Sequence, residues 1–187
     1  MSPSSRLART LRDAPVVRMR NYDYFVHPIT DGIPEVDPDL LSEVVEELRA
    51  RLPTTFDRFL APEAMGLPLA TALSLATGRP FLVARKRAYG LPGEIVIQQT
   101  TGYGKSSFHI VGLRKGERVV LVDDVVSTGG TIRCLAQACR QAGATLEKVL
   151  IAINKDHDLE ALGREVGAPI EAVTRIRIEG GKVRLEA

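Results

Sequence analysis

The chain has little cysteine, almost no excess charge and no long apolar run. Only two of its 187 residues are cysteines, Cys134 and Cys139. They stand five apart in a segment of helical periodicity, roughly 500° around the axis, so they point in different directions and no disulfide is expected between them. Neither has a nearby histidine that would make it a nucleophile or a zinc ligand. A formal net charge of +2 is too small for a nucleic-acid footprint. The chain lacks the run of about 18 apolar residues that a membrane-spanning helix needs. Met1 to Arg12 lacks the central apolar stretch of a secretory signal, which makes cytoplasmic residence the expectation. Internal repeats and low-complexity tracts are missing too. What is present is a chain of single-domain size, 44% hydrophobic and 26% charged, able to bury a substantial core. One domain over residues 1–187 is the expectation.

The most informative stretch is Val119-Val-Leu-Val-Asp-Asp-Val-Val-Ser-Thr-Gly-Gly-Thr131. Val119 to Val122 form an unbroken aliphatic run, the pattern of a strand covered on both faces in a parallel sheet. Asp123 and Asp124 then emerge at its C-terminal end, where open α/β sheets bind ligands. Ser127-Thr128-Gly129-Gly130-Thr131 opens a helix with apolar residues Ile132, Leu135, Ala136 and Cys139 on one face, ending near Gly143. Unpaired N–H groups at its N-terminus, three hydroxyls and two glycines suit a phosphate. The two carboxylates would repel that anion unless they face hydroxyl groups or a divalent cation. A ribose 5-phosphate satisfies both halves.

Elsewhere the first 35 residues read as irregular, with Pro15, Pro28 and Pro34 and three of the chain's aromatics, Tyr22, Tyr24 and Phe25. Pro38 after Asp37 opens an amphipathic helix to about Ala50. A short strand over Phe56–Ala61 leads through Pro62-Glu-Ala-Met-Gly66 into a helix from about Leu67 to Thr77, and Pro80–Arg87 returns as a strand. With the strand at 118–123, its helix and a strand at Val149–Ile153, the alternation predicts an α/β fold with a parallel sheet flanked by helices. Ala88 to Ser107, with four glycines and a proline, reads as a mobile loop on a hairpin arm formed by Ile95–Gln99 and Phe108–Val111. Ile170–Ile178 and Val183–Leu185 read as a second hairpin. Gly104-Lys105-Ser106 fails as a nucleotide phosphate loop, since the glycine required five positions before Gly104 is a glutamine.

The 119–131 run resembles the signature of the type I phosphoribosyltransferases at every position. The resemblance implies that Asp123 and Asp124 hold the ribose hydroxyls of phosphoribosyl pyrophosphate and that Ser127, Thr128, Gly129, Gly130 and Thr131 wrap its 5-phosphate. Ala61-Pro-Glu-Ala-Met-Gly66 is similar to the family's pyrophosphate loop, often built with a non-proline cis peptide, which nominates Glu63, Ala64, Met65 and Gly66. Arg85, Lys86 and Arg87, expected at a strand end, resemble further pyrophosphate contacts. The loop containing Tyr89, Gly90, Tyr103 and Lys105 would close over the site and exclude water. The family also implies Mg²⁺ held through the substrate with no direct protein ligands, and a homodimer.

Two features bear on the acceptor. The stretch from Tyr22 to Pro38, with Arg-Lys-Arg-x-Tyr-Gly-Leu-Pro-Gly-Glu and Gln-Gln-Thr, is similar to the archaeal hypoxanthine/guanine enzymes, which have an adenine-enzyme-like body. Residues 1–38 are then a hood, with Tyr24 or Phe25 stacking on the purine and Val125 and Val126 beside it, and His27 structural. The carboxylate that adenine enzymes carry in this loop is Gly102 here, and adenine enzymes have arginine where Met65 stands. Oxopurine enzymes of the other type have aspartate at the place of Ser127. No general acid or base is assigned. The expected reaction converts hypoxanthine or guanine and phosphoribosyl pyrophosphate to IMP or GMP plus pyrophosphate. Adenine is the alternative base, and a non-catalytic purine-responsive or donor-sensing regulator is the alternative of another class.

Overall fold

The computed structural model describes residues 5–19, 22–101 and 104–186, without the side chains of 99–101 and 104–106. The chain opens with a helix, α1 (Arg6–Arg12), where an irregular segment is expected. Ser5 accepts from the Ala8 N–H at 3.1 Å, and the Glu43 carboxylate accepts from the Arg6 and Leu7 N–H groups at 2.9 Å each. That second cap comes from a distant helix, so no local pattern announces it. Strands β1 (Val16–Met19) and β2 (Tyr22–Phe25) pair antiparallel, with Val16 opposite Phe25. The single turn α2 (Pro28–Asp31) follows, and then α3 (Pro38–Arg49), capped by Asp37 as expected.

The remaining elements are β3 (Arg58–Pro62), α4 (Gly66–Thr77), β4 (Phe81–Ala84), β5 (Ile95–Thr101), β6 (Gly104–Ile110), β7 (Arg118–Val126), α5 (Gly130–Ala142), β8 (Thr145–Lys155), α6 (Leu159–Val166), β9 (Ile170–Glu179) and β10 (Lys182–Glu186). The main sheet has the order β10-β9-β8-β7-β3-β4 and is parallel except for the β9–β10 hairpin. The expected α/β class with a flanked parallel sheet is what the chain adopts. Helix α6 is not among the expected elements; its signals are short, an Asp158 N-cap and a left-handed Gly167 enclosing eight residues.

Sheet order locates the crevice. From β3 the chain crosses through α4 outward to β4, while from β7 it crosses through α5 the other way to β8. Because such crossovers share one hand, the two helices fall on opposite faces, and the loops leaving β3 and β7 part from each other at the carboxyl edge. The aliphatic run explains how β7 supports this. Val120 and Val122 enter the core beneath α1, α3 and α4, while Val119 and Leu121 enter the core beneath α5 and α6. All four are fully buried.

Two expectations are corrected. β4 ends at Ala84, not Arg87, because Arg85 leaves the sheet to form an isolated antiparallel bridge with His109. Arg85, Lys86 and Arg87 therefore lie in a loop. The segment read as one mobile loop is two structures. Leu91-Pro92-Gly93-Glu94 is a tight turn closed by Glu94 N–H donating to the Leu91 carbonyl at 3.1 Å, with Gly93 at φ +77° as a type II turn requires. The β5–β6 hairpin follows it. Gly102 and Tyr103 lie outside the described residues, as does the Lys105 side chain.

His27 ties α2 to α1 within the hood. Its ring is fully buried, with Nδ1 accepting from the Ile29 N–H at 3.2 Å and Nε2 meeting Thr10 Oγ1 at 2.9 Å. Burial pulls its pKa from 6.5 down to about 4, against a smaller opposing pull from Asp31. The unfolded chain therefore takes up the proton first on acidification, and the stability contributed by the neutral ring is lost as the pH falls from 6.5 toward about 4. A His27→Asn variant should be less stable at neutral pH yet lose less on acidification across that range. Parallel thermal-melting profiles for the two proteins would exclude His27 as the titrating group.

Candidate active site at the β3–β7 crevice

Two loops and two helix N-termini converge where β3 and β7 part. Four helices are capped by side chains: α1 by Ser5, α2 by His27, α3 by Asp37 and α6 by Asp158. The two that start at the crevice are not. α4 begins at Met65 and α5 at Gly129 with no side-chain cap and no acidic residue in the first turn. Their leading N–H groups and positive dipole ends are left for an anion.

The α5 turn is braced from outside. Arg133 donates from Nη1 to the Thr128 carbonyl at 2.6 Å and from Nε to Glu165 at 2.7 Å. Gly129 is left-handed at φ +73°, and a Cβ there would meet Arg133 Nη1 at 2.8 Å and Leu162 Cδ2 at 2.9 Å. Ser127 Oγ shares a 2.8 Å hydrogen bond with the Tyr22 hydroxyl, so the phosphate turn is tied to the hood.

β7 runs on past the expected end at 123 to Val126, so Asp123 lies within the strand, three residues before its end; it is only 6% exposed, and its Oδ1 accepts from the Asp124 N–H at 2.9 Å. Burial, and then the charge of Asp124, hold its carboxyl well above the usual range, while Lys86 pulls the other way. Asp124 is also raised, first by burial, with Asp31 of α2 adding its charge. Such a pair is poised to accept hydroxyls or a cation, either of which would offset the cost of its buried charge.

The β3 loop carries the second anion-facing helix. The Glu63–Ala64 peptide is cis, as the resemblance implies. Glu63 turns its carboxylate toward the basic segment, accepting from the Lys86 N–H at 2.7 Å and lying 3.8 Å from Arg85 Nη1. Gly66 meets β7 directly: a Cβ there would lie 3.0 Å from the Val122 carbonyl and 3.2 Å from Asp123 Oδ1. Met65 reaches toward the hood, its Cε 3.8 Å from where a Cβ of Gly32 would be. The Arg85 and Arg87 guanidiniums each stand 5.8 Å from the ring centre of Tyr89.

The hood aromatics divide by strand alternation. Phe25 is 4% exposed within the core, so its ring has no face for a ligand; Val126 is likewise committed to the core beneath α5. These two base-binding expectations are corrected. Tyr24 remains half-exposed, its hydroxyl donating to Asp31 at 2.7 Å. Its pKa is driven up by burial, the Asp31 hydrogen bond and the charges of Asp31 and Asp124. Val125 is partly buried. Tyr22, Asp31 and Lys155 are not among the expected site residues. Lys155 ends β8, donates to the Asp23 carbonyl at 2.6 Å and lies 3.5 Å from the Tyr22 ring centre. The strand-end rule that nominates Asp123 also points to it. Tyr22, Ser127, Lys155 and Arg177 line a cavity of about 380 Å³.

An anion-receptive helix pair around buried carboxylates at a topological switch point defines a sugar-phosphate-binding α/β protein. Residues 38–162 match the phosphoribosyl transferase domain model, and the chain belongs to that family. It is 45% identical to the hypoxanthine/guanine phosphoribosyltransferase of Methanohalophilus mahii over 92% of this chain and 90% of that one. The protein of the same name from Methanothermobacter thermautotrophicus is 42% identical over 97% and 94%. Among solved structures, adenine phosphoribosyltransferase from Thermoanaerobacter pseudethanolicus superposes with a TM-score of 0.72 at 22% identity, covering 90% of this chain and 99% of that one. The Saccharomyces cerevisiae adenine enzyme gives 0.70 at 24%, covering 88% and 97%. These structural likenesses concern the fold.

The acid pair generates a test. Since both carboxyls are raised, the unfolded chain releases its protons first as the pH climbs, and the ligand-free protein loses stability above the ordinary carboxylate range. Asp123→Asn should therefore melt higher than the parent at neutral pH, with the difference shrinking toward about pH 4. A lower melting temperature at neutral pH would contradict the placement of a penalised charge at Asp123.

Proposed function

We propose that this chain is a purine salvage enzyme. It transfers the phosphoribosyl group from phosphoribosyl pyrophosphate to hypoxanthine or guanine, giving IMP or GMP and pyrophosphate. The observation that carries the reading is the convergence of two uncapped helix N-termini on the Asp123–Asp124 pair, which suits a donor bearing anions at both ends of a sugar. The α5 turn, Ser127 to Thr131, takes the 5-phosphate. Asp123 and Asp124 accept from the ribose 2- and 3-hydroxyls. The backbone of Ala64, Met65 and Gly66 and the cations of Arg85, Lys86 and Arg87 receive the pyrophosphate, with Glu63 positioning Lys86.

In the transfer, the bond from C1 to the pyrophosphate oxygen breaks as a purine nitrogen bonds to C1, the purine's imidazole N–H proton leaves to the departing pyrophosphate or to solvent, and the sugar carries positive character between bond breaking and bond making. Fixed N–H dipoles and cations at the leaving side favour that departure without reorganising. Tyr24 covers the sugar from the hood and limits access of water, whose attack would hydrolyse the donor. The chemistry of the acid pair fits Mg²⁺ held through substrate oxygens; when bound, the ion neutralises charge on the departing pyrophosphate.

The choice of base rests on the relatives' names and on Lys155. An ammonium only donates, so at this edge it complements the 6-oxo group of hypoxanthine or guanine better than the amino group of adenine. Pyrophosphate release measured with each purine separately should show turnover of hypoxanthine and guanine, and Lys155→Met should lower kcat/KM for both by about tenfold. Turnover of adenine alone would overturn the base assignment. Tight donor binding with no turnover of any base would favour a sensor. A homodimer belongs to the same proposal on family resemblance alone, and a cytoplasmic location goes with the salvage reading; light scattering that returned a 20.4 kDa particle would remove the dimer.

A further inference from the structure

The tight turn between β4 and β5 contains a carboxylate that the phosphoribosyl chemistry leaves unused. Glu94 has only 9% of its side chain exposed, yet it closes no ordinary surface ion pair. It reaches back along its own turn: Oε1 accepts from the Tyr89 N–H and Oε2 from the Gly90 N–H, both at 3.0 Å. A carboxylate on two successive backbone donors is a strong brace, since charge-assisted bonds outlast neutral ones. Gly90 permits it by turning left-handed at φ +65°.

Beside this brace stands His109 of β6. Its backbone exchanges two hydrogen bonds with Arg85, at 3.0 and 2.7 Å. Its Nε2 meets Ser107 Oγ at 2.8 Å, and its buried Nδ1 has no hydrogen-bond partner among the described residues. Glu94 Oε1 stands 3.8 Å from it, too far for a hydrogen bond. A neutral ring accepting from Ser107 at Nε2 carries its proton on Nδ1, so the two groups are chemically matched across that gap.

We infer that Glu94 is a positioning residue for the pyrophosphate end of the site, and that its contact with His109 Nδ1 tightens into a hydrogen bond when the donor binds. Resting on the phosphoribosyl reading, the inference makes three anchors act on one short loop. Glu63 holds the Lys86 N–H, His109 holds the Arg85 backbone, and Glu94 holds Tyr89 and Gly90. Arg85, Lys86 and Arg87 are thereby presented from a loop with little freedom left to lose on binding, which is where preorganisation yields affinity. Contacts of this kind are commonly long in the free protein and shorten in the complex.

The test is a double-mutant cycle on donor affinity. Calorimetry with magnesium and phosphoribosyl pyrophosphate should show about tenfold weaker binding for Glu94→Ala and for His109→Phe, which keeps the ring volume and the backbone bridge. The double variant should be no worse than Glu94→Ala alone, because both changes break one contact. The KM for the purine should stay within about twofold of the parent. In the parent, proton NMR should show a downfield imidazole N–H signal on adding the donor, absent in Glu94→Gln. Additive losses, or a shifted purine KM with unchanged donor affinity, would sink the inference while leaving the enzyme reading intact. Coupled losses in a protein that turns over no base would preserve the brace and remove the enzyme reading.

Discussion

Everything at the site depends on β3 lying parallel to β7 in one register. Arg58, Phe59 and Leu60 stand opposite Val119, Val120 and Leu121. A slip of one residue would turn Leu60, which packs under α5, toward α3, and would carry Phe59 the other way. The entry end of the pair is pinned by Asp57, which accepts from the Arg118 N–H at 2.7 Å, and by the contact of Arg58 with Glu117. At the exit end Gly66 sits so close to the Val122 carbonyl that a side chain would force α4 away. Register at one end therefore becomes the distance between two anion-receptive helices at the other.

The crevice divides charge by position. Negative groups, Asp123, Asp124 and Asp31, cluster beneath the hood, whereas donors occupy the rims: the α5 turn on one side, the α4 start and Arg85 to Arg87 on the other. A ligand with a hydroxylated centre and anionic ends matches that division, and a simple polyanion would meet the acids. The hood is integral to it. Tyr22 grips Ser127 of the body, while within the hood Tyr24 grips Asp31 and His27 grips Thr10.

What was legible in the sequence was whatever a strand or helix declares locally. Val119 to Val122 are aliphatic because both sheet faces are covered, and the glycines after them open a helix, so the strand, turn and helix on the β7 side of the crevice could be read directly. Pro38 after Asp37 marked α3 for the same reason. Features made by partners distant in sequence were illegible. α1 is capped by Glu43, Arg85 is drawn out of the sheet by His109, and Glu94 looks like one more loop acid until its turn folds back. The hood lay between these cases. Tyr22, Tyr24 and Phe25 stood out, but only pairing with β1 decides that Phe25 faces the core and Tyr24 the crevice.

The buried acid pair has a consequence for how the protein exchanges protons with its surroundings. On the proposed reading, carboxyls whose affinity for protons is raised when the crevice is empty would give up part of that bound hydrogen on accepting sugar hydroxyls, because each accepted bond favours the ionised form. Donor capture is then also an acid release. The observed heat of capture should vary with the ionisation enthalpy of the buffer, and a buffer-independent heat would show that the pair is already fully ionised when empty. In a compartment whose acidity drifts, the same linkage would make the protein hold such a donor less firmly as protons accumulate.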